Sequence, residues 1–186
     1  MMPASNGERG VRFRRVASPL GDLLLVADVT KGFVLRGLYF YDAPHAESAI
    51  PRGAREDAGV FDGIVRQLEA YFAGRRTTFD VPLELVGTPF QRAVWRALLR
   101  IPYGTTTTYA AIARAIGRPE AVRAVGAANG KNPIAIVVPC HRVIASDGAL
   151  TGYAGGLAAK RALLELEARS AGGSHRKRGR AEGEGD

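Results

Sequence analysis

The segment 134–143, with the sequence IAIVVPCHRV, contains the single cysteine of this 186-residue chain. Its apolar run lies between Pro133 and Pro139, and a short apolar run with such boundaries predicts a buried extended segment. We therefore expect Cys140 to stand at the end of a rigid element. A lone cysteine is also compatible with an inert core position, because a free thiol packs as a small apolar group.

The residues that follow Cys140 favour a reactive thiol. His141 and Arg142 are potential cations, and positive charge beside a thiol lowers its pKa from about 8.5 toward neutrality. Successive side chains of an extended segment point to opposite sides, so a direct hydrogen bond between Cys140 and His141 is not expected. For His141 to act as a base, a bridging water or a sharp turn after Pro139 is required.

Composition excludes several classes of protein. One cysteine allows no internal disulfide, no pair of redox cysteines and no zinc site built from several cysteines. No run approaches the ~18 apolar residues of a membrane span, and the N-terminus lacks the apolar core of a signal peptide. We expect a cytoplasmic globular protein of one or two small domains with no membrane contact.

The net charge of +8 is concentrated in one part of the chain. Residues 1–86 contain 11 Lys and Arg and 11 Asp and Glu, residues 87–169 contain 11 and 4, and residues 170–186 contain 4 and 3. The net charges of these three segments are therefore 0, +7 and +1, respectively. A basic surface attracts a polyanion through counterion release, which favours nucleic acid as the partner. A basic domain without such a partner is the alternative, since arginine-rich composition also follows from genome bias.

Residues 11–86 predict an N-terminal α/β domain. Alternating and buried apolar residues between Val11 and Tyr41 indicate an antiparallel meander of strands. Helical spacing of apolar residues then predicts an amphipathic helix over residues 59–73, packed on the sheet. The remaining stretches are a loop at 42–57, a short strand or linker at 77–85, and disordered ends at 1–10 and 170–186.

Residues 87–169 predict a second, mostly helical domain. Thr88 is an N-cap, and Pro89 occupies the first position of a helix that ends before Pro102. Two shorter helices follow, joined by a turn that contains Gly117, and this pattern is typical of a helix-turn-helix. The predicted helices cover 89–101, 105–116, 119–129 and 157–169.

The second helix of this helix-turn-helix has few large side chains. Such a helix can approach a narrow minor groove closely, but small residues also allow tight packing inside a protein, and the pattern fits both readings. Arg123 projects from it. The small residues are Ala121, Ala124, Gly126, Ala127 and Ala128.

Glu167 is the candidate partner of His141. It follows Leu163 by four residues and Leu164 by three, so it shares or borders their inward face, and a buried carboxylate needs a partner. The other two histidines fall in the predicted loop and tail. Glu167 would orient the imidazole while His141 takes the proton of Cys140 through water. An exposed Glu167 is the alternative.

The motifs around Cys140 strongly resemble those of the DNA alkyltransferases that repair O6-alkylguanine. The string PCHRV is preceded by Asn132-Pro133 and followed by GYAGGL at 152–157, and the resemblance covers residues 87–169. It implies an α+β fold, with an N-terminal antiparallel, ribonuclease H-like sheet carrying one helix and a mostly helical C-terminal domain. It also implies a Glu-His-water-Cys relay.

The resemblance assigns further residues. The second helix of the helix-turn-helix would enter the minor groove, with Arg123 intruding into the base stack. Asn132 matches a hinge asparagine, and Tyr109 matches a tyrosine that contacts the DNA and protonates the guanine ring, although a core position beside Ile112 is an alternative. Many relatives have serine in place of Ala154. The other implied DNA-binding residues are Ala124, Gly126, Ala127 and Asn129, and the implied base pocket contains Val143, Tyr153, Ala154 and the carbonyl of Cys140.

The implied activity is a stoichiometric, irreversible transfer of an alkyl group from double-stranded DNA to Cys140. The implied protein is a monomer that uses no cofactor and binds no metal, and whether it also repairs O4-alkylthymine is left open. Two rival functions use the same residues. A hydrolase with a Cys-His-Glu triad would turn over repeatedly, and a non-catalytic helix-turn-helix protein would bind DNA without accepting alkyl groups.

Overall fold

The structure, a computed structural model, describes residues 10–43 and 46–178. The disorder expected for residues 1–9 and 179–186 lies outside the described residues. The first domain contains a four-stranded sheet in the order β3-β2-β1-β4. Its strands are β1 (Val11–Val16), β2 (Leu23–Asp28), β3 (Val34–Phe40) and β4 (Arg55–Glu56).

The sheet is mixed rather than purely antiparallel. The predicted meander accounts for β1, β2 and β3, which pair antiparallel. Strand β4 lies inside the stretch predicted as a loop and pairs with β1 in parallel. Its two residues are charged and exposed, so they show no alternation of apolar and polar positions and give no strand signal.

One helix, α1 (Asp62–Phe72), packs on this sheet after a 3₁₀ turn at Gly59–Phe61. The spacing of its buried side chains confirms the predicted amphipathic helix. The linker beyond it forms only an isolated bridge, between Leu83 and Leu35 of β3. The buried residues of α1 are Ile64, Leu68 and Tyr71.

The second domain contains the predicted helices and two short parallel strands. Thr88 caps the first helix, since its side chain accepts from Gln91 N and the Gln91 side chain accepts from Thr88 N. The elements are α2 (Pro89–Leu98), β5 (Thr107–Thr108), α3 (Tyr109–Ala115), α4 (Val122–Gly130), β6 (Val143–Ile144) and α5 (Gly156–Arg178). Helices α3 and α4 form the helix-turn-helix.

Helix α5 continues past the predicted end near Arg169. Residues 170–178, expected to belong to a disordered tail, are helical. Ser170 and Ala171 lie against Gly74 and Gly104, respectively. Tertiary packing thus supports the first two residues of this extension, where the glycine-rich composition alone does not favour a helix.

The second domain covers the edge of β3. Leu38 N donates to Pro133 O at 2.9 Å, and Leu38 O accepts from Ala135 N at 2.8 Å. Because these bonds satisfy the open edge of the sheet, the start of the cysteine-bearing segment is fixed to the first domain. In the described part of the chain, no helix has the length and apolar character needed to cross a bilayer.

Candidate active site

Cys140 lies in a tightly turned segment, and the prediction of an extended one is wrong. Val137 N donates to Ala135 O at 2.7 Å and Cys140 N donates to Val138 O at 2.8 Å, so two three-residue turns occur in succession. A 3₁₀ helix, Cys140–Arg142, then begins after Pro139. An apolar run predicts burial, but it does not tell whether the buried chain is straight or turned.

Backbone strain accompanies these turns. Ile136 has a φ of 68°, in the left-handed region where a β-branched residue is held at a cost of about 1–3 kcal/mol. Its side chain is buried, and Val138 N donates to Ile134 O at 2.9 Å across the turn. The packing around Ile136 therefore determines where the chain presents Cys140.

Asn132 connects the start of the segment to the sulfur. Its Oδ1 accepts from Ile134 N at 3.0 Å. Its Nδ2 donates to Val138 O at 2.8 Å and to Cys140 Sγ at 3.0 Å. The amide thus fixes the turn and also supplies a hydrogen bond to the nucleophile.

His141 and Glu167 are in direct contact, as the sequence predicted. His141 Nε2 lies 2.8 Å from Glu167 Oε1, and both side chains are almost fully buried. Since Glu167 is ionised, Nε2 is the donor, and the neutral imidazole then keeps its lone pair on Nδ1. Within the described residues, Nδ1 has no hydrogen-bond partner. This nitrogen is therefore available to accept a proton.

Arg142 binds Glu167 instead of lying beside the thiol. Its Nε donates to Oε2 and its Nη2 to Oε1, each at 2.9 Å, while Nη1 donates to Ile101 O at 2.7 Å. Two further groups donate hydrogen bonds to the Glu167 carboxylate: Tyr71 Oη at 2.7 Å and Gly104 N at 3.0 Å. Sequence reasoning missed Tyr71, because its helical spacing indicated only a core position.

The resting site contains a neutral thiol, and the expected lowering of its pKa is not found. Burial raises the pKa of Cys140 to about 11, although the hydrogen bond from Asn132 opposes the shift. Burial also lowers the pKa of His141. Burial disfavours the Glu167 carboxylate, but hydrogen bonds from His141 and Arg142 outweigh this and lower its pKa to about 2. The arrangement is therefore thiol, neutral base and carboxylate.

Helix α4 presents a small, open face. Of the residues predicted to face DNA, Arg123, Ala124 and Ala127 are exposed and Gly126 is half-buried. Asn129 does not belong to this face, because its side chain is 3% exposed. Its Nδ2 lies 3.5 Å from Cys140 O. Helical spacing places Asn129 one turn from Val125 on the buried side, which the prediction overlooked.

Tyr109 stands at the start of α3, close to α4. A Cβ atom on Gly126 would lie 3.9 Å from the ring, at ordinary van der Waals distance, so α4 and the Tyr109 ring are close neighbours at this position. The hydroxyl group is 3.1 Å from Thr151 Oγ1. Tyr109 thus lies between the exposed face of α4 and the loop that follows Cys140.

Tyr153, one of the predicted base-pocket residues, contacts both His141 and the first domain. The Tyr153 ring packs edge-on against Phe40 at 5.6 Å and against His141 at 6.4 Å. Val143 is buried and Ala154 is exposed. Phe40 of β3 was not predicted, because a strand residue so distant in sequence gives no sign of contact with this loop.

Lys160 is a second residue that the sequence did not reveal. It is fully buried, and its Nζ donates to Val143 O at 2.7 Å and to Thr151 O at 2.8 Å. A buried ammonium group is stable only with such partners. Lys160 therefore connects the chain after Cys140 with the loop that carries Tyr153.

The site offers acid–base chemistry rather than a metal-binding arrangement. Across residues 10–43 and 46–172, whose side chains the structure describes, no three His, Cys, Asp or Glu side chains are grouped so that they could hold a metal ion. Glu167 is instead bound to both His141 and Arg142. A thiol, a base and a carboxylate are suited to nucleophilic group transfer.

Comparison with known proteins agrees with this geometry. Residues 11–85 match the ribonuclease-like domain, and residues 89–169 the DNA-binding domain, of 6-O-methylguanine DNA methyltransferase. The methylated-DNA–protein-cysteine methyltransferase of Mycobacterium bovis is 54% identical over 157 residues, which cover 84% of this chain and 92% of that protein.

Two crystal structures from Mycobacterium tuberculosis have the same fold. The O6-methylguanine methyltransferase is 53% identical, with a TM-score of 0.78 over 86% of this chain and 94% of that chain. The complex of that organism's OGT with DNA is 52% identical, with the same TM-score and coverage. The predicted family is confirmed: this chain belongs to the O6-methylguanine DNA methyltransferase family.

Proposed function

We propose that this chain repairs O6-alkylguanine in double-stranded DNA by moving the alkyl group onto Cys140 in one irreversible step. By its family it is a methylated-DNA–protein-cysteine methyltransferase. The observation that carries the residue assignment is the buried imidazole of His141, whose Nε2 donates to Glu167. A neutral base held next to a protonated thiol is suited to activate it.

The reaction is a direct displacement. The Cys140 proton passes through a water molecule to His141 Nδ1, and Glu167 stabilises the imidazolium. The sulfur attacks the alkyl carbon, the bond from that carbon to O6 breaks, and its electron pair remains on the guanine. Tyr109 donates a proton to the guanine ring, and the proton held on His141 returns through solvent to the tyrosinate.

The product explains why each molecule acts once. A thioether forms at Cys140, and thiol exchange does not cleave a thioether. The alkyl group arrives already attached to a leaving group, so no cofactor is needed. Because the substrate is genomic DNA, we expect the protein to act in the cytoplasm, as a monomer.

The duplex is bound through α4. Its small exposed residues allow close approach to a minor groove, and Arg123 enters the stack where the damaged base rotates out, at a cost of a few kcal/mol. Tyr153 and the Ala154 amide then contact the base, and the Cys140 and Val143 carbonyls accept from its exocyclic amine. The DNA complex of the M. tuberculosis relative supports this partner.

Transfer of a radiolabel tests the proposal. Duplex DNA carrying O6-[methyl-³H]methylguanine is incubated with the protein, and we expect at most one equivalent of label on the protein and none on Cys140→Ala. Repeated turnover would instead indicate a hydrolase. Binding of the duplex without any transfer would indicate a non-catalytic DNA-binding protein.

A further inference from the structure

One contact to the catalytic carboxylate comes from the first domain. Tyr71 lies on α1, is fully buried, and donates from its hydroxyl to Glu167 Oε1 at 2.7 Å. The other site residues in this network, His141 and Arg142, belong to the second domain. The hydrogen bond therefore joins α1 of one domain to α5 of the other inside the active site.

The oxygen that Tyr71 contacts is the one that serves His141. Glu167 Oε1 accepts from Tyr71 Oη and from Arg142 Nη2 and lies 2.8 Å from His141 Nε2, whereas Oε2 accepts from Gly104 N and Arg142 Nε. Among the described residues, Tyr71 is thus the donor that the first domain contributes to the oxygen facing the imidazole.

Tyr71 is suited to hold a charge in place. Its ring packs against Phe79 at 5.3 Å and Tyr103 at 6.0 Å, so the hydroxyl has little freedom. Burial, together with the negative charge of Glu167, raises the pKa of Tyr71 far above its ordinary value of 10.0. The group therefore remains a hydrogen-bond donor at neutral pH.

We propose that Tyr71 is a positioning residue, which holds Glu167 against His141 so that the first domain completes the relay of the second. The inference rests on the proposed roles of His141 and Glu167. Its physical basis is that a charge-assisted hydrogen bond between buried groups is short, directional and costly to lose. Removal of the hydroxyl leaves Arg142 and Gly104 to hold the carboxylate, with one donor fewer on Oε1 and its charge less well compensated.

The test compares Tyr71→Phe with Tyr103→Phe. Both remove one hydroxyl from the same buried aromatic cluster, but among the residues that the structure describes Tyr103 Oη has no hydrogen-bond partner. Using free O6-methylguanine, which needs no DNA contact, we expect transfer to slow about 10-fold in Tyr71→Phe and to stay unchanged in Tyr103→Phe. In a plot of transfer rate against pH, the fall in rate on the acid side should also move to higher pH in Tyr71→Phe but not in Tyr103→Phe.

A double-mutant cycle with Glu167→Gln tests whether the effect of Tyr71→Phe on transfer acts through Glu167. If Tyr71 acts through Glu167, Tyr71→Phe slows transfer in the native background but adds nothing to Glu167→Gln. An equal loss in both backgrounds, or unchanged transfer in Tyr71→Phe, would overturn the proposal. Unchanged transfer in Glu167→Gln would instead overturn the relay itself, and thermal unfolding of each variant identifies any that fails to fold.

Discussion

Asn132 Nδ2 lies 3.0 Å from Cys140 Sγ. This hydrogen bond favours the thiolate, whereas burial favours the thiol and has the larger effect on its pKa. Positive charge from Arg142 does not decide the balance, because the guanidinium is bound to Glu167. Burial thus keeps the thiol protonated, and in the proposed mechanism Asn132 stabilises the charge that develops on the sulfur.

Asn132→Asp tests this role. Aspartate keeps an oxygen that can accept from Ile134 N, but it loses both N–H donors and brings negative charge to the sulfur. We expect transfer from free O6-methylguanine to slow by at least about 10-fold at pH 7. Because the cause is a higher thiol pKa, the ratio of the two rates should be constant near neutral pH and shrink only as the pH reaches and exceeds 11, where the native thiol ionises. A constant ratio at every pH would contradict this explanation.

Arg123→Ala tests the role of α4. Arg123 is exposed and does not touch the site residues, so we expect transfer from free O6-methylguanine to be unchanged and transfer from a methylated duplex to slow about 10-fold or more. The matched control is Arg66→Ala, which removes the same charge from an exposed position on α1. Equal loss on both substrates, or equal loss in the control, would exclude a role in base extrusion.

Gly155→Ala tests the contact between the base-pocket loop and the first domain. A Cβ atom at Gly155 would lie 2.5 Å from the Phe40 ring, and such overpacking costs about 1–3 kcal/mol. We expect a lower free energy of unfolding in urea and slower transfer from both free O6-methylguanine and a methylated duplex. Adding Phe40→Leu to Gly155→Ala should partly restore the free energy of unfolding and the transfer rates. Gly152→Ala is the control, since a Cβ there meets nothing within 4 Å. Equal behaviour of the two variants would contradict the predicted clash.

Local patterns were sufficient to predict most of the helices. The Thr88 cap, the spacing along α1 and the short helices around Gly117 are all properties of neighbouring residues, and each was predicted. Glu167 was also predicted as the partner of His141, because its position relative to Leu163 and Leu164 is a helical regularity. Such features depend on backbone geometry that repeats every few residues.

The contacts between domains could not be predicted. Tyr71 and Phe40 reach the site from a helix and a strand whose own patterns only indicate a core. Arg142 was expected beside the thiol because it is close in sequence, yet the turn after Pro139 directs it to Glu167. Asn129 was assigned to the exposed face of α4 but lies on the buried face, and small residues occur on both faces of this helix. For Tyr71, Phe40 and Arg142 the deciding partner lies far away in the sequence, whereas the burial of Asn129 follows from its helical spacing to Val125.

Cys140 should make the stability of the protein fall at alkaline pH. Burial raises its pKa from an ordinary value of 9.0 to about 11, so above pH 9 the unfolded chain releases a proton that the folded chain retains. The stabilisation from the neutral thiol is complete below pH 9 and is lost as the pH rises to 11; the full difference corresponds to about 3 kcal/mol. Urea unfolding of the native protein and of Cys140→Ala, at intervals from pH 8 to 11, measures this loss of stabilisation. We expect the free energy of unfolding to fall more steeply for the native protein, and parallel curves would show that the thiol pKa is not raised.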